Sequence, residues 1–274
     1  ILLRGPRGLI VHSGNLYAAI PLYFLSFFFN FEYGIYCYGG EILQLTKKNG
    51  KNRILKMVLR RAAYHYFISD YTRRLLLNLG IEKKLIYAPP KIDISKIPDH
   101  IKPPQPPLQL LSVGRLVKHK GHEVLLESVK RLPPEISWNL VIAGNGPELP
   151  QIKGRITENL LSEKVVVACD VSDEELSQLY QQSHIFLLPS LETSGATEGF
   201  GIVMLEAMSY NIPVIASRVG GVPEVLLGGA AGLLVSPGDP DDLASAIVKL
   251  SASEKLRENL VHTARDNLLK NYCW

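Results

Sequence analysis

Polar and apolar residues alternate along this chain with two periods. Short apolar runs bounded by Gly, Pro, Asn or Asp lie between longer stretches whose apolar residues return every third or fourth position. That alternation builds parallel sheets covered by helices. In the first part, residues 9–12, 33–38 and 85–88 read as strands and 67–69 as a strand end. Residues 54–66 carry a helical pattern, and residues 16–29 form the most apolar stretch of the chain. A membrane-spanning helix needs roughly twenty apolar residues, so 16–29 is expected to be a buried helix of an α/β domain.

The pattern breaks where Pro98, Pro103, Pro104, Pro106 and Pro107 stand among polar residues, because proline continues neither a helix nor a central strand. It then restarts. Strands are expected at 108–113, 140–143, 165–168, 185–188, 214–216 and 232–235, with helices from Gly121, Pro147, Ser172, about 202, Asp239 and Ser253. Ser172 and Glu175 have the spacing of a capping box. The expected fold class is α/β: two Rossmann-like, doubly wound parallel-sheet domains. The N-terminal one (1–97) is incomplete, 98–107 is the linker, and 108–274 is the second domain. A ligand crevice is expected at the carboxyl ends of the strands.

Composition adds little to this. The chain is 46% hydrophobic and 20% charged, with a net charge of +4, which is ordinary for a chain that buries a core. Cys37, Cys169 and Cys273 are odd in number and far apart, which fits a reducing, cytoplasmic compartment. Starting at Ile1 without an initiator methionine and stopping at Trp274 after a helical run, the chain reads as a fragment cut at both ends. Local charge is more informative. No acidic residue lies between Glu41 and Asp70, while Lys47, Lys48, Lys51, Arg53, Lys56, Arg60 and Arg61 gather beside Ile54, Leu55, Met57, Val58 and Leu59. Such a basic amphipathic segment over 47–61 suits the anionic inner face of a membrane. A solvated helix face is the competing reading. Nucleic acid is not expected as a partner, because no aromatic or base-reading residues are interleaved.

Three stretches carry candidate chemistry. Residues 197–208 (TEGFGIVMLEAM) place Gly199 and Gly201 at a strand-to-helix turn, with Glu198 before it and Glu206 inside the helix. Small residues there let backbone N–H groups and the helix N-terminus approach an anion such as a diphosphate. Two carboxylates could hold different hydroxyls of one ligand; a capping and a solvent-facing glutamate fit the spacing equally well. Residues 113–121 (VGRLVKHKG) release Arg115 and Lys120 together from a strand end after Gly114, and those cations could clamp a diphosphate. Residues 143–148 (AGNGPE), with Asn145, lack the third glycine of a dinucleotide fingerprint. His12, His65, His119, His122 and His184 have no ligand spacing. Asp239, Asp241 and Asp242 around Pro240 have the composition of a helix start rather than of a metal site.

Taken in order, GRL…KG, AGNGP, LPS…EGFGIVMLEAM, PVIAS…GGVPE and GLLVSPGDPDDLA resemble the retaining glycosyltransferase family 4, with its two-domain GT-B fold. The resemblance is close over 108–269 and loose before it, through His12, YGGE at Tyr38, Gly39, Gly40 and Glu41, and Ile68-Ser69. It implies glycosyl transfer, with retention, from a nucleotide diphosphate sugar to a saccharide or lipid-linked saccharide acceptor, without metal or cofactor, in surface polysaccharide or glycolipid assembly. Arg115 and Lys120 would bind the donor diphosphate, Glu198 the sugar and Glu206 the ribose. The loop formed by Glu198, Gly199, Phe200 and Gly201 would face the phosphates, and 38–41 would lie on the acceptor side. Tyr38 stands where many members carry a histidine, Cys169 where a glycine often ends a strand, and 192–196 reads as an insertion. A non-catalytic nucleotide-sugar-binding module is the alternative function.

Overall fold

The structure is a computed structural model that describes residues 8–46, 52–82, 84–94 and 105–274. Lys47, Lys48 and Lys51 of the basic segment and Pro98, Pro103 and Pro104 of the linker lie outside the described residues. The chain divides into two units, 1–90 together with 193–200, and 91–192 together with 201–274.

The first unit holds a parallel sheet of β1 (Ile10–Ser13), β2 (Glu32–Cys37), β3 (Tyr64–Phe67) and β4 (Leu85–Tyr87), side by side in that order. Its helices are α1 (Ile20–Leu25), α2 (Gly40–Thr46), α3 (Arg53–Arg61) and α4 (Asp70–Asn78). Ile35, Cys37, Ile42, Leu45, Val58, Leu59 and Leu76 make the core. Tyr33 enters it with its hydroxyl donating to the Val58 carbonyl at 2.8 Å, and burial pushes that phenol up to about 12.

Two expectations fail in this unit. The helical run over 54–66 ends at Arg61: Ala62 takes extended angles, and Tyr64, His65 and Tyr66 become β3. These residues pair with β2 on one side and β4 on the other, where aromatic side chains pack well. The apolar stretch 16–29 is not a buried helix. Only Leu16 and Ala19 are buried in it, α1 buries no residue, and Phe24, Phe27 and Phe28 are 51%, 53% and 67% exposed. A helix as short as α1 presents one side, Ile20, Leu22 and Tyr23, to the core, so a stretch that is apolar all round leaves the remainder uncovered.

The second unit is a parallel sheet of β5 (Leu108–Val113), β6 (Trp138–Ala143), β7 (Val165–Ala168), β8 (Ile185–Leu188), β9 (Val214–Ser217) and β10 (Leu233–Val235). Their order across the sheet is β10-β9-β8-β5-β6-β7. Around it lie α5 (His122–Val129), α6 (Leu149–Glu158), α7 (Asp173–Gln182), α8 (Ile202–Ser209), α9 (Val222–Val225), α10 (Pro240–Ala252) and α11 (Glu254–Asn271). Every residue of β8 and β9 is buried, as helices on both faces require. Helix starts fall where their caps stand. Ser172 and Glu175 form the capping box of α7, and Asp239 accepts from the Asp241 and Asp242 N–H groups at 3.0 and 3.1 Å to open α10. Among the described residues no helix is long and apolar enough to cross a membrane.

Candidate functional site

From β5 the second unit adds β6 and β7 on one side and then returns to β8 on the other. Ligands of such sheets bind outside the carboxyl ends of the strands at this reversal. The segments that leave β5 and β8 here are joined. Leu191 donates its N–H to the His119 carbonyl at 2.7 Å, and a Cβ on Gly121 would run into the Pro189 carbonyl. Gly121 also has φ 69° as the N-cap of α5. Only glycine meets both demands. Lys120 comes out of this turn half-buried, with its side chain folded back over the end of β5. Its Nζ lies 3.7 Å from where a Cβ on Gly114 would stand. Arg115 is exposed beside it in sequence. Two cations therefore leave the carboxyl end of the strand at the reversal.

The AGNGP glycines serve another purpose. A Cβ on Gly144 would collide with the Gly114 carbonyl and one on Gly146 with the Leu116 carbonyl. The β5–β6 ladder continues past both strands through Gly114 N to Ala143 O at 3.0 Å and Leu116 N to Asn145 O at 2.9 Å. These glycines let two loops touch backbone to backbone. Asn145 braces the same loop, accepting from Gly146 N at 2.8 Å and donating to Asp170 Oδ1 at 3.0 Å.

Gly201, at φ 84°, is the N-cap of α8, and no side chain caps that helix. Such a start can receive an anion on its first N–H groups. Glu206, half-buried on α8, accepts the Tyr180 hydroxyl at 2.7 Å. His122, at the start of α5, is held near pKa 4, first by burial and then by the charges of Lys120 and His119. It is neutral at pH 7.

In the first unit, Tyr38 follows β2 and is exposed, while Glu41 turns back to accept Tyr38 N at 2.7 Å. Burial raises the Glu41 carboxyl, against the lowering effect of the Tyr38 and Glu41 N–H groups. Gly199 packs so tightly on the Tyr38 carbonyl that a Cβ would overlap it. A Cβ on Gly39, itself at φ 100°, would come within 3.4 Å of the Gly199 Cα. Ser69 completes the arrangement, donating to the Gly199 carbonyl at 2.8 Å while capping α4 through Thr72 N at 3.2 Å. Glu198 is 8% exposed and Phe200 3%, so neither faces solvent. The cavity lined by Glu32, Arg60, Arg61, His65 and Lys84 opens where β2 and β3 begin, at the opposite strand ends from Tyr38.

Thus Gly114, Arg115, Lys120, Asn145, Gly201 and Glu206 stand in the second unit, and Tyr38, Gly39, Gly40, Glu41, Glu198, Gly199 and Phe200 in the first. Tyr180, Ser69 and Thr72 escaped the sequence reading as site residues. Ser69 had a partial signal, a serine one residue before Asp70 and a helical run. Tyr180 had none. Among the described residues no group of His, Cys, Asp and Glu could hold a metal ion. His65 Nε2 bonds the Leu59 carbonyl at 2.8 Å and His184 Nδ1 accepts Gln109 N at 2.9 Å; both are buried structural histidines.

The model of the family described as glycosyl transferases group 1 matches residues 93–267. An uncharacterized glycosyltransferase of Methanocaldococcus jannaschii is 32% identical over 60% of this chain and 41% of its own length. The GDP-mannose-dependent alpha-(1-6)-phosphatidylinositol monomannoside mannosyltransferase of Mycolicibacterium smegmatis is 29% identical over 76% of this chain and 58% of its own. The chain spans about half the length of the curated relatives it matches. The crystal structure of Anabaena Alr3699/HepE with UDP and glucose superposes with a TM-score of 0.83 over 96% of this chain and 74% of that one, at 18% identity. That likeness extends to the fold, GT-B with Rossmann-like sheets.

Proposed function

Because the chain belongs to the glycosyl transferases group 1 family, we propose that it serves to move a sugar from a nucleotide diphosphate sugar to an acceptor hydroxyl, with retention at the anomeric carbon. The observation that carries this reading is the Lys120 ammonium folded over Gly114 at the sheet's reversal, with Arg115 leaving the same strand end. In this role the two cations stabilise the charge that grows on the departing diphosphate, the dominant contribution expected in such transfers. The N–H groups that open α8 behind Gly201 add dipole and donors to the phosphates. Glu206 holds the ribose and Glu198 orients the sugar, while 38–41 serve the acceptor. HepE is crystallised with UDP and glucose, which supports a nucleotide-sugar donor here. No step requires a metal or cofactor.

The test is Glu198→Gln assayed for binding and turnover separately. Turnover should vanish while calorimetric affinity for the free nucleoside diphosphate is retained; lost affinity, or full activity, refutes the assignment. A chain that binds donor yet never transfers or hydrolyses it is the non-catalytic module, a reading favoured by Tyr38 at the histidine position.

A second proposal concerns the acceptor. The M. smegmatis relative is named for a phosphatidylinositol mannoside acceptor, and α3 carries Arg53, Lys56, Arg60 and Arg61 beside Ile54 and Met57, 48% and 39% exposed. Val58 and Leu59 are buried, so part of the helix packs on its own sheet and part remains for a lipid surface. We propose a peripheral contact with anionic lipid through 47–61 that presents a lipid-linked acceptor. Cosedimentation with anionic but not neutral vesicles, weakened by salt and by neutral replacements of Lys47, Lys48, Lys51 and Arg53, is expected. Equal binding to both vesicle types refutes it.

A further inference from the structure

Tyr180 lies on α7 and is 2% exposed. Its ring stacks on Tyr210, with centroids 5.2 Å apart and planes within 10°, and meets Phe186 of β8 at 6.0 Å. Tyr210 is tied in turn to Ser177 of α7 by a hydroxyl pair at 2.8 Å. A ring clasped on two sides points its hydroxyl in one direction, and at its end is Glu206 Oε2, 2.7 Å away. Burial and the nearby carboxylate hold the phenol protonated far above the usual tyrosine range. Tyr180 is therefore the donor of this bond and Glu206 its acceptor.

We infer that Tyr180 is the positioning residue for the ribose-holding carboxylate: its hydroxyl fixes one oxygen of Glu206 so that the other meets the ribose hydroxyls of the donor. A lone glutamate on a helix samples several rotamers, and ordering it on binding costs affinity. The Tyr180 bond makes that selection during folding, and leaves the second oxygen as the acceptor for the ligand. The inference rests on the donor reading above, in which Glu206 contacts ribose.

Tyr180→Phe removes the hydroxyl and keeps the stacked ring. The probes are UDP and GDP, their 2′,3′-dideoxy forms, which offer Glu206 no ribose hydroxyl, and inorganic pyrophosphate. Whichever ribonucleoside diphosphate binds wild type should lose on the order of tenfold in affinity to Tyr180→Phe, as for a charge-assisted bond. Its dideoxy form and pyrophosphate should be unchanged, and adding Tyr180→Phe to Glu206→Gln should cost little more. Equal loss for all probes means a merely structural role and overturns the inference, as does no loss at all. If Tyr180→Phe does not fold, Tyr210→Leu keeps the hydroxyl but removes the ring that steers it. The same ribose-selective loss is then expected, and a uniform loss or none overturns the inference. A wild-type protein that binds none of the common ribonucleoside diphosphates overturns the proposed function instead, whatever the variants do.

Discussion

Replacing Ser69 by alanine removes a hydroxyl with three hydrogen-bond partners, the Thr72 hydroxyl at 3.1 Å among them. As acceptor it caps α4 through Thr72 N, and as donor it holds the Gly199 carbonyl. Loss of an N-cap serine costs about 1 kcal/mol. Ser69 is 0% exposed, so water does not replace the lost donor, and an abandoned buried carbonyl costs about 1–3 kcal/mol more. The first unit should therefore lose about 2–4 kcal/mol in Ser69→Ala. Ser69→Gly separates the two contributions, because glycine caps nearly as well as serine while leaving Gly199 equally abandoned. It should be about 1 kcal/mol milder than alanine. Native-state hydrogen exchange on peptides covering 66–79 and 193–201 reads both ends of the bond. Both should exchange faster in Ser69→Ala, and only the second strongly so in Ser69→Gly. Unchanged protection at 193–201 in both variants would refute the bond as what holds the loop before α8.

Lys120→Ala should weaken nucleoside diphosphate binding by about 1.5–3 kcal/mol, the range for a hydrogen bond to a charged group, and unaltered calorimetric affinity in a folded variant eliminates Lys120 from the phosphate site. Gly121→Ala should destabilise the second unit by about 2 kcal/mol or more, since a side chain at φ 69° costs about 1–2 kcal/mol before the Pro189 carbonyl is displaced; an unshifted urea midpoint contradicts this. His122 is held near pKa 4 in the folded chain against an ordinary 6.5, so the unfolded chain binds more protons between those values. Its contribution is complete above pH 6.5 and is lost as pH falls through 4, on the order of 3 kcal/mol. His122→Phe should flatten the pH dependence of unfolding in that window.

Much of this protein is written locally. The strands of the second unit are visible because a parallel strand covered on both faces must be a continuous apolar run, as in IFLL of β8 and VIAS of β9. The starts of α7 and α10 are visible because Ser172 and Asp239 satisfy donors only two or three residues away. Gly121 and Gly201 announce turns, and the cations that follow Gly114 can be named from their position after a strand. What the sequence could not decide is which surfaces meet. The stretch 16–29 is apolar in composition, yet burial needs a partner, and α1 turns only a little of it inward. Residues 64–66 carry a helical pattern, but β2 and β4 supply ladder bonds on both sides and claim them for β3. Why glycine stands at 144 and 146 is visible only once the Gly114 and Leu116 carbonyls are seen where their side chains would be. Ser69 and Gly199 are 130 residues apart, and Tyr180 and Glu206 26 apart, in different elements. Periodicity and capping record contacts within a few turns of chain, whereas each of these pairs exists only because the fold of its own unit brings distant segments side by side.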